Sequence, residues 1–261
     1  MRSEIETFKH EAVQTQSDRA DQFAASYEAM LESPFEDCFI YSRYRLQEYL
    51  DRLIPTNGTG MKLLDVGCGT GHHMARLRKR GYEVVGIDIS KEMLVYAREN
   101  NPGSVILEAD VEEIPLPNAC FDLISSIEVL RHLPRSNKCI EEMARLLKPG
   151  GRCLVTATPF FNMNGYTLIN FFANKVKIGK LARHRQAFHT SNRLRAEFFC
   201  AGLTVEEVIG VYTGPINWIG RLTPSVLPRV LKRWASIDRT VSNKRIAREF
   251  ANMFLIHAVK A

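Results

Sequence analysis

A glycine-rich turn and two aspartates are the residues whose types and spacing best suit ligand chemistry. Residues 63–71 read LLDVGCGTG, so Asp65 ends an apolar run just before Gly67 and Gly69. Glycines allow a tight turn and let a ligand approach the backbone without side-chain obstruction. Asp88 ends the next apolar run, where a carboxylate can accept both ribose hydroxyls of a nucleoside. This pattern predicts a nucleoside-binding site.

A nicotinamide dinucleotide is the main alternative ligand for such a turn. Its fingerprint requires a third small residue at position 72, where this chain has His72. Bulk at that position would crowd the contact between helix and strand and the place of the pyrophosphate. The turn therefore favours a ligand that has a nucleoside but no phosphate.

Apolar runs that alternate with helical patterns must position these residues. The runs predict strands at 62–66, 83–87, 105–108, 121–125, 152–156, 204–209 and 253–259, and amphipathic patterns predict helices near 71–80, 90–99 and 137–147. Such alternation predicts an α/β fold with a Rossmann-like, doubly wound, seven-stranded and mostly parallel sheet. The carboxyl ends of parallel strands share one edge of a sheet, so the two aspartates should meet there.

The length of 261 residues predicts a single domain, and its composition is that of a globular protein. We predict a helical cap at 1–59, a cofactor-binding core at 60–158, a lid at 159–190, and a helix and strand at 191–261 that complete the sheet. The six cysteines show no C-x-x-C pair, which favours reduced thiols in a cytoplasmic protein over disulfides or zinc. The polar N-terminus has no secretory apolar region, and no apolar run is long enough to span a bilayer.

Four motifs, in this order, resemble those of class I S-adenosylmethionine-dependent methyltransferases. They are LLDVGCGTG, VVGIDISKEML, EADVEEIPLPNACFDLISSIEVLRHL and RLLKPGGRCLVTATP, which together cover residues 61–159. Any one of them alone is weak, whereas the four together are specific. The cap and the lid more loosely resemble those of ubiquinone- and menaquinone-biosynthesis members.

The resemblance implies S-adenosyl-L-methionine as the cofactor and gives roles to the residues at the strand ends. Gly67 and Gly69 would flank the methionine part, and Asp88 would hold the ribose. Ile89 and Met93 would pack near the adenine, and Asp110 and the backbone of Val111 would read its amino edge. Ser126 and Ile127 would border the methionine chain, while the position of Asp65 at its strand end suits bonds from the turn or from a cationic amine.

The resemblance also points to two residues of the predicted cap. Tyr27 stands where related enzymes often have an aromatic residue that closes over the cofactor. Arg45 resembles an arginine that pairs with the methionine carboxylate, a task that suits a planar guanidinium. Arg43 lies two positions away, and an exposed helix arginine is the alternative interpretation of Arg45.

No catalytic residue can be assigned from the sequence. His132 is the best placed of the seven histidines to act as a general base, because it follows the fourth predicted strand closely. Glu128 and His132 resemble part of a metal-associated stretch in ubiquinone-type O-methyltransferases. Arg131 replaces the middle acid of that stretch, so we predict no metal site. His184 and His189 are secondary candidates for a base.

Basic residues are concentrated in the C-terminal part of the sequence, and this distribution limits the kinds of partner that the protein could bind. Residues 160–261 carry 16 Lys/Arg against 5 Asp/Glu, which indicates an anionic partner or a solvated basic face. Segments 166–185 and 225–234 combine basic and apolar residues, so they could lie on an anionic membrane or form a lid.

The favoured function is methylation at oxygen or carbon of a small-molecule acceptor that is lipid-like, quinone-like or a secondary metabolite. An RNA methyltransferase is the first alternative. The fourth strand, however, lacks an Asn/Asp-Pro-Pro-aromatic run, and no RNA-binding module is appended, so a nucleic-acid partner is disfavoured. A non-catalytic scaffold that binds S-adenosylmethionine is the second alternative.

Overall fold

One open sheet of seven strands carries the fold. The computed structural model describes residues 32–162, 187–214 and 225–261, together with Gln14, Ser17, Tyr27, Met30 and Thr223. The strands are β1 (Lys62–Val66), β2 (Glu83–Asp88), β3 (Val105–Glu108), β4 (Phe121–Ser126), β5 (Leu147–Ala157), β6 (Leu203–Val211) and β7 (Met253–Lys260). Their order is β3-β2-β1-β4-β5-β7-β6. The predicted fold class is confirmed.

The first five strands are parallel, and β7 is antiparallel to both of its neighbours, β5 and β6. The register pairs Asp65 with Gly86 of β2 and with Ser125 of β4. Leu63 and Leu64 of the central strand β1 are both fully buried, because helices cover both faces of a doubly wound sheet. The carboxyl ends of β1, β2 and β4 therefore lie side by side.

Helices cover the two faces as separate layers. Residues of α1 (Cys38–Leu53), α2 (His72–Arg78) and α3 (Lys91–Asn100) share one apolar cluster with the sheet, and those of α4 (Ser136–Leu146) and α5 (Ser191–Cys200) share the other. Side chains cap three of these helices: Asp37 accepts from the first turn of α1, Ser90 from that of α3 and Thr190 from that of α5. These caps fix where the helices begin.

A sixth helix, α6 (Leu227–Val241), lies between β6 and β7 and packs against α1. This helix includes most of the basic and apolar segment 225–234, for which the sequence analysis gave no secondary structure. Leu227, Leu231 and Ala235 form a small apolar cluster with Tyr41 of α1 and Tyr212. The C-terminal part of the chain therefore supports the described part of the predicted cap.

A buried ion pair joins α6 to α1. Nε of Arg45 donates to Oδ2 of Asp238 at 3.0 Å, and the side chains are 3% and 0% exposed. The other oxygen of Asp238 accepts the backbone N–H of Thr213 at 2.7 Å. The buried Asp238 carboxylate is therefore satisfied, whereas without Arg45 it would be a buried charge with no cation beside it.

Much of the predicted cap and lid lies outside the described residues. This applies to 163–186, which include most of the predicted lid and His184, and to most of 1–31. No helix in the described part of the chain is long and apolar enough to cross a bilayer.

We expect Asp238→Ala to lower the free energy of unfolding by about 3–5 kcal/mol, because it leaves the buried Arg45 guanidinium with Glu48 as its remaining carboxylate and removes the acceptor of the buried Thr213 N–H. Arg239→Ala is the matched control, since Arg239 lies one position away and pairs with Glu48 while 52% exposed. Exposed pairs contribute about 0–1 kcal/mol. Urea denaturation measures both changes, and equal small losses would contradict a structural role for the buried pair.

Candidate cofactor site

A cavity opens at the carboxyl edge of the sheet, between the strand ends and α1. The residues that line it come from the chain before α1, from α1, from the ends of β1 and β2 with the turns and helix starts that follow them, and from the segments after β3 and β4: Tyr27, Met30, Arg43, Leu46, Gln47, Leu50, Asp65, Gly67, Cys68, Gly69, Thr70, His72, His73, Asp88, Ile89, Ser90, Met93, Asp110, Val111, Ile127, Glu128, Val129, His132 and Leu133. A ligand cavity is expected at this edge in an open α/β sheet.

The floor of the cavity is the turn between β1 and α2. The backbone N–H groups of Gly67 and Cys68 both donate to the Ile87 carbonyl at 2.8 Å, which holds the turn against the end of β2. Gly67 and Gly69 have φ of 71° and 53°, a left-handed conformation that strains other residues. A Cβ on Gly67 would overlap the Val129 side chain, whereas a Cβ on Gly69 would meet no atom within 4 Å. Space for a ligand therefore lies above Gly69.

Asp88 connects this floor to α3. Its Oδ2 accepts the Gly69 N–H and its Oδ1 accepts the Ser90 N–H, each at 2.9 Å. Burial raises the pKa of this carboxyl group, and the backbone hydrogen bonds oppose that rise. Each oxygen has a second lone pair, so the carboxylate can hold the turn and still accept ligand hydroxyl groups.

Asp65 lies deeper, at the end of β1. It is 3% exposed and accepts the Ser125 hydroxyl at 2.6 Å. Burial raises its pKa, while a charge on His73 and the bond from Ser125 act in the other direction. The hydrogen bond from Ser125 of β4 therefore fixes the orientation of the Asp65 carboxyl group, which also lines the cavity and can pair with a cation there.

Helix α1 forms the opposite wall through one face. Arg43, Leu46, Gln47 and Leu50 recur at the spacing of a single helical stripe, and all four line the cavity. Nη2 of Arg43 lies 3.0 Å from the Glu128 carboxylate, so an ion pair joins this wall to the segment that follows β4.

Glu128 is the most constrained residue of the cavity. Its φ is 61°, and its backbone N–H donates to Oγ1 of Thr156 at 2.6 Å. Burial alone would raise its pKa, but Arg43 and Arg131 outweigh burial and hold the pKa below its ordinary value. Glu128 is therefore a carboxylate at neutral pH, which makes it a counter-ion and a weak general base.

His132 ends a short 3-10 turn, Leu130–His132, and faces the same cavity. The turn begins beyond Glu128, so Glu128 and His132 do not lie on one α-helix, although their spacing of four residues would allow a shared helical face. His189, by contrast, is 2% exposed, and its Nε2 lies 3.2 Å from the Ser136 hydroxyl, away from the cavity. In the described ranges no group of three His, Cys, Asp or Glu side chains is arranged to hold a metal ion.

The structure brings most of the predicted cofactor residues together. Those that line the cavity are Tyr27, Asp65, Gly67, Gly69, Asp88, Ile89, Met93, Asp110, Val111 and Ile127. Ser126 does not line it: its side chain is fully buried, and Ser125, on the other face of β4, bonds Asp65 instead. Strand alternation separates these two serines.

Arg45 also lies outside the cavity lining, which corrects the role predicted for it. Its three nitrogens donate to Asp238, Glu48 and Tyr49, so the guanidinium is fully used within the protein. Arg43 is the arginine of α1 that lines the cavity.

Sequence reasoning missed most of the α1 wall. The stripe at positions 43, 46, 47 and 50 is visible in the sequence and could have identified it. The contact between Tyr27 and His72, whose ring centroids lie 4.7 Å apart, had no comparable signal because these residues are distant in sequence.

Comparisons with known proteins agree with this arrangement. A model of the family described as "Methyltransferase domain" matches residues 64–155. A malonyl-[acyl-carrier protein] O-methyltransferase of Pectobacterium atrosepticum is 38% identical over 40% of this chain and 41% of its own length. A ubiquinone biosynthesis O-methyltransferase of Pseudomonas fluorescens is 30% identical over 64% of this chain and 75% of its own length.

A solved S-adenosylmethionine-dependent methyltransferase from Mesorhizobium loti shares the fold, with a TM-score of 0.59, 19% identity, and coverage of 83% of this chain and 98% of that one. The chain spans only about 41% of the length of the malonyl-carrier relative. The match to the ubiquinone relative is much wider. The chain belongs to the class I S-adenosylmethionine-dependent methyltransferases.

We expect Gly69→Ala to weaken S-adenosylmethionine binding about tenfold or more, a change of ~1.4 kcal/mol, because its methyl group would project into the ligand space. Gly103→Ala is the matched control: Gly103 also has a positive φ, 80°, and open space around it, but it lies outside the cavity lining. Both variants should lose about 1–2 kcal/mol of stability from backbone strain. Calorimetric titration that shows equal affinity in the two variants would contradict this placement.

Proposed function

We propose that this protein transfers the methyl group of S-adenosylmethionine to a small-molecule acceptor with an apolar part. The observation that carries the proposal is a single cavity lined at one end by the glycine turn, Asp88 and Asp110, and at the other by Arg43 and His132. The first end suits a nucleoside and the second offers polar groups for an amino acid and an acceptor.

The cofactor would lie along the strand ends. Its ribose would meet Asp88, and its adenine would lie between Ile89 and Met93, with Asp110 and Val111 at the amino edge. All five line the described cavity. S-adenosylmethionine has no phosphate, so a floor closed by two acidic side chains would not repel it, as it would repel a pyrophosphate.

The methionine part would extend over Gly67 toward α1. There its carboxylate would meet Arg43, and its amine would be near Asp65. A guanidinium suits a carboxylate because it can donate two parallel hydrogen bonds. Arg43 already pairs with Glu128 at 3.0 Å, so the methionine carboxylate would either share Arg43 with Glu128 or displace Glu128 from it.

Methyl transfer from a sulfonium is a direct displacement: the bond from the acceptor to the methyl carbon forms as the bond from carbon to sulfur breaks. Alignment and exclusion of water can supply most of the acceleration. An oxygen acceptor must also lose a proton, and His132 would be the base, because the depressed pKa of Glu128 makes that carboxylate a weak one.

The apolar side chains of the cavity wall indicate which class of acceptor molecule would bind. Met30, Leu46, Leu50, Val129 and Leu133 form an apolar lining beyond the polar groups. Such a lining favours an acceptor with a hydrocarbon portion. The named relatives include enzymes of ubiquinone biosynthesis and of malonyl-carrier methylation, both O-methyltransferases, and O-methylation of a lipid-like or quinone-like acceptor is the activity we favour.

The direct test is a methyl-transfer screen with radiolabelled S-adenosylmethionine against separate lipid, metabolite and RNA fractions of cells. Label in the lipid or metabolite fraction would support the proposal. Label in RNA alone would favour a nucleic-acid methyltransferase, and cofactor binding without transfer to any fraction would favour a scaffold.

We expect Asp88→Asn to weaken S-adenosylmethionine binding about 10- to 100-fold, because an amide cannot replace a carboxylate that accepts from both ribose hydroxyls and the turn. Asp122→Asn is the matched control. Asp122 also accepts a backbone N–H, from Lys62 at 2.9 Å, but it begins β4 at the opposite edge of the sheet. Unchanged calorimetric affinity in the Asp88 variant would refute the assignment.

We expect Arg43→Ala to weaken binding of S-adenosylmethionine about 10- to 100-fold and to leave binding of 5′-methylthioadenosine nearly unchanged, because only the first ligand has a carboxylate. Arg52→Ala is the control, since Arg52 lies on the same helix, 51% exposed, and pairs with Glu207 outside the cavity. An equal loss for both ligands would show that Arg43 acts on the shape of the cavity and not on the carboxylate.

A further inference from the structure

The outer face of α6 is unusual in its mixture of side chains. Val226, Arg229, Arg233 and Ile237 follow one another along the helix side that points away from the buried Leu231. Lys244, Arg245 and Ile246 continue this exposed surface in the turn after the helix. We call these seven residues the basic–apolar surface.

The basic–apolar surface carries cationic side chains, and α6 has no exposed acidic side chain beside them. The acid of α6 is Asp238, which is fully buried and paired with Arg45. No ion pair joins Arg229, Arg233, Lys244 or Arg245 to another residue of the described ranges. Surface cations in proteins are usually interspersed with acids, so an acid-free stretch is suited to an extended anionic partner.

The same surface exposes large aliphatic side chains. The exposed fractions are 43% for Val226, 47% for Ile237 and 76% for Ile246. Single exposed apolar residues are common, but here Val226 and Ile237 lie on the helix side that carries Arg229 and Arg233, and Ile246 directly follows Lys244 and Arg245. Cations with aliphatic residues between them are typical of a helix that lies at the interface of an anionic bilayer.

This surface is one helix away from the cavity. The opposite face of α6 packs on Tyr41 of α1, and the far face of α1 presents Arg43 and Leu46 to the cavity. A partner bound to the outer face of α6 would therefore be separated from the cavity wall only by α6 and α1.

We propose that the basic–apolar surface is a docking site for an anionic lipid membrane. The inference goes beyond the proposed function, since methyl transfer itself does not require it. A membrane fits better than an acidic protein, because exposed aliphatic side chains stand beside unpaired cations along the helix and at both of its ends, and an anionic interface can accept both kinds of side chain at once. Phosphate headgroups would meet the arginines while Val226, Ile237 and Ile246 enter the interfacial region.

The test is flotation of the full chain with vesicles of phosphatidylcholine, with and without an equal part of phosphatidylglycerol. We expect binding only to the anionic vesicles, and less binding at high salt. Arg229→Glu/Arg233→Glu should weaken binding more than tenfold, since each cation contributes about fivefold near an anionic surface. Ile237→Ser should weaken binding severalfold through the loss of apolar burial.

Two matched variants separate this surface from net charge and general hydrophobicity. Lys79→Glu/Lys138→Glu makes the same change of charge at exposed positions elsewhere, and Phe199→Ser removes a side chain that is 77% exposed on α5. Both should bind vesicles like the unaltered protein. Circular dichroism should show the same fold in all variants.

The proposal is overturned if the unaltered protein does not float with anionic vesicles, or if the Arg229/Arg233 variant floats as well as the controls. Equal losses in the Lys79/Lys138 variant would show a net-charge effect and would also overturn it. So would an unchanged Ile237→Ser variant, or binding of an acidic carrier protein at this surface in place of vesicles. Calorimetric titration with S-adenosylmethionine is independent of these outcomes, so failure of the proposed function would be seen separately.

Discussion

The site depends on one constraint, the attachment of the β1–α2 turn to the end of β2. The N–H groups of Gly67 and Cys68 share the Ile87 carbonyl, and the Gly69 N–H reaches Asp88. These bonds satisfy donors that would otherwise be buried without partners at the start of α2. They also hold the glycine floor and the Asp88 carboxylate together, so the floor of the cavity follows from the way the chain satisfies its own backbone.

The sheet and the floor could be predicted because their signals are local. A central parallel strand is buried on both faces, so β1 is a continuous apolar run whose end is marked by an aspartate and glycines. The same reasoning places Asp88 and Asp110 at neighbouring strand ends. β5 begins earlier than the apolar run suggests, at Leu147, because pairing with Phe121 of β4 extends it through a polar turn.

The choice between Arg43 and Arg45 could not be settled by local signals. Both lie on α1, and which of them faces the cavity depends on where α6 packs, more than 170 positions later in the chain. Asp238 accepts the Arg45 guanidinium, while Leu46, Tyr49 and Leu50 of the same helix pack into the apolar cluster of the sheet. A functional role inferred from likeness alone is weakest where a distant residue decides orientation.

The electrostatics of the cavity follow from the same tertiary arrangement. Glu128 would be an ordinary candidate base in sequence, but the structure gives it a left-handed backbone and two arginine neighbours, one from α1 and one from its own segment. Its charge is therefore fixed before any ligand binds. Arg43 reaches Glu128 from the same helix that Arg45 attaches to α6, so the ion pair in the cavity and the buried ion pair outside it share one element. The chemistry of the strand ends and the packing of the C-terminal helix are thus parts of one structural unit.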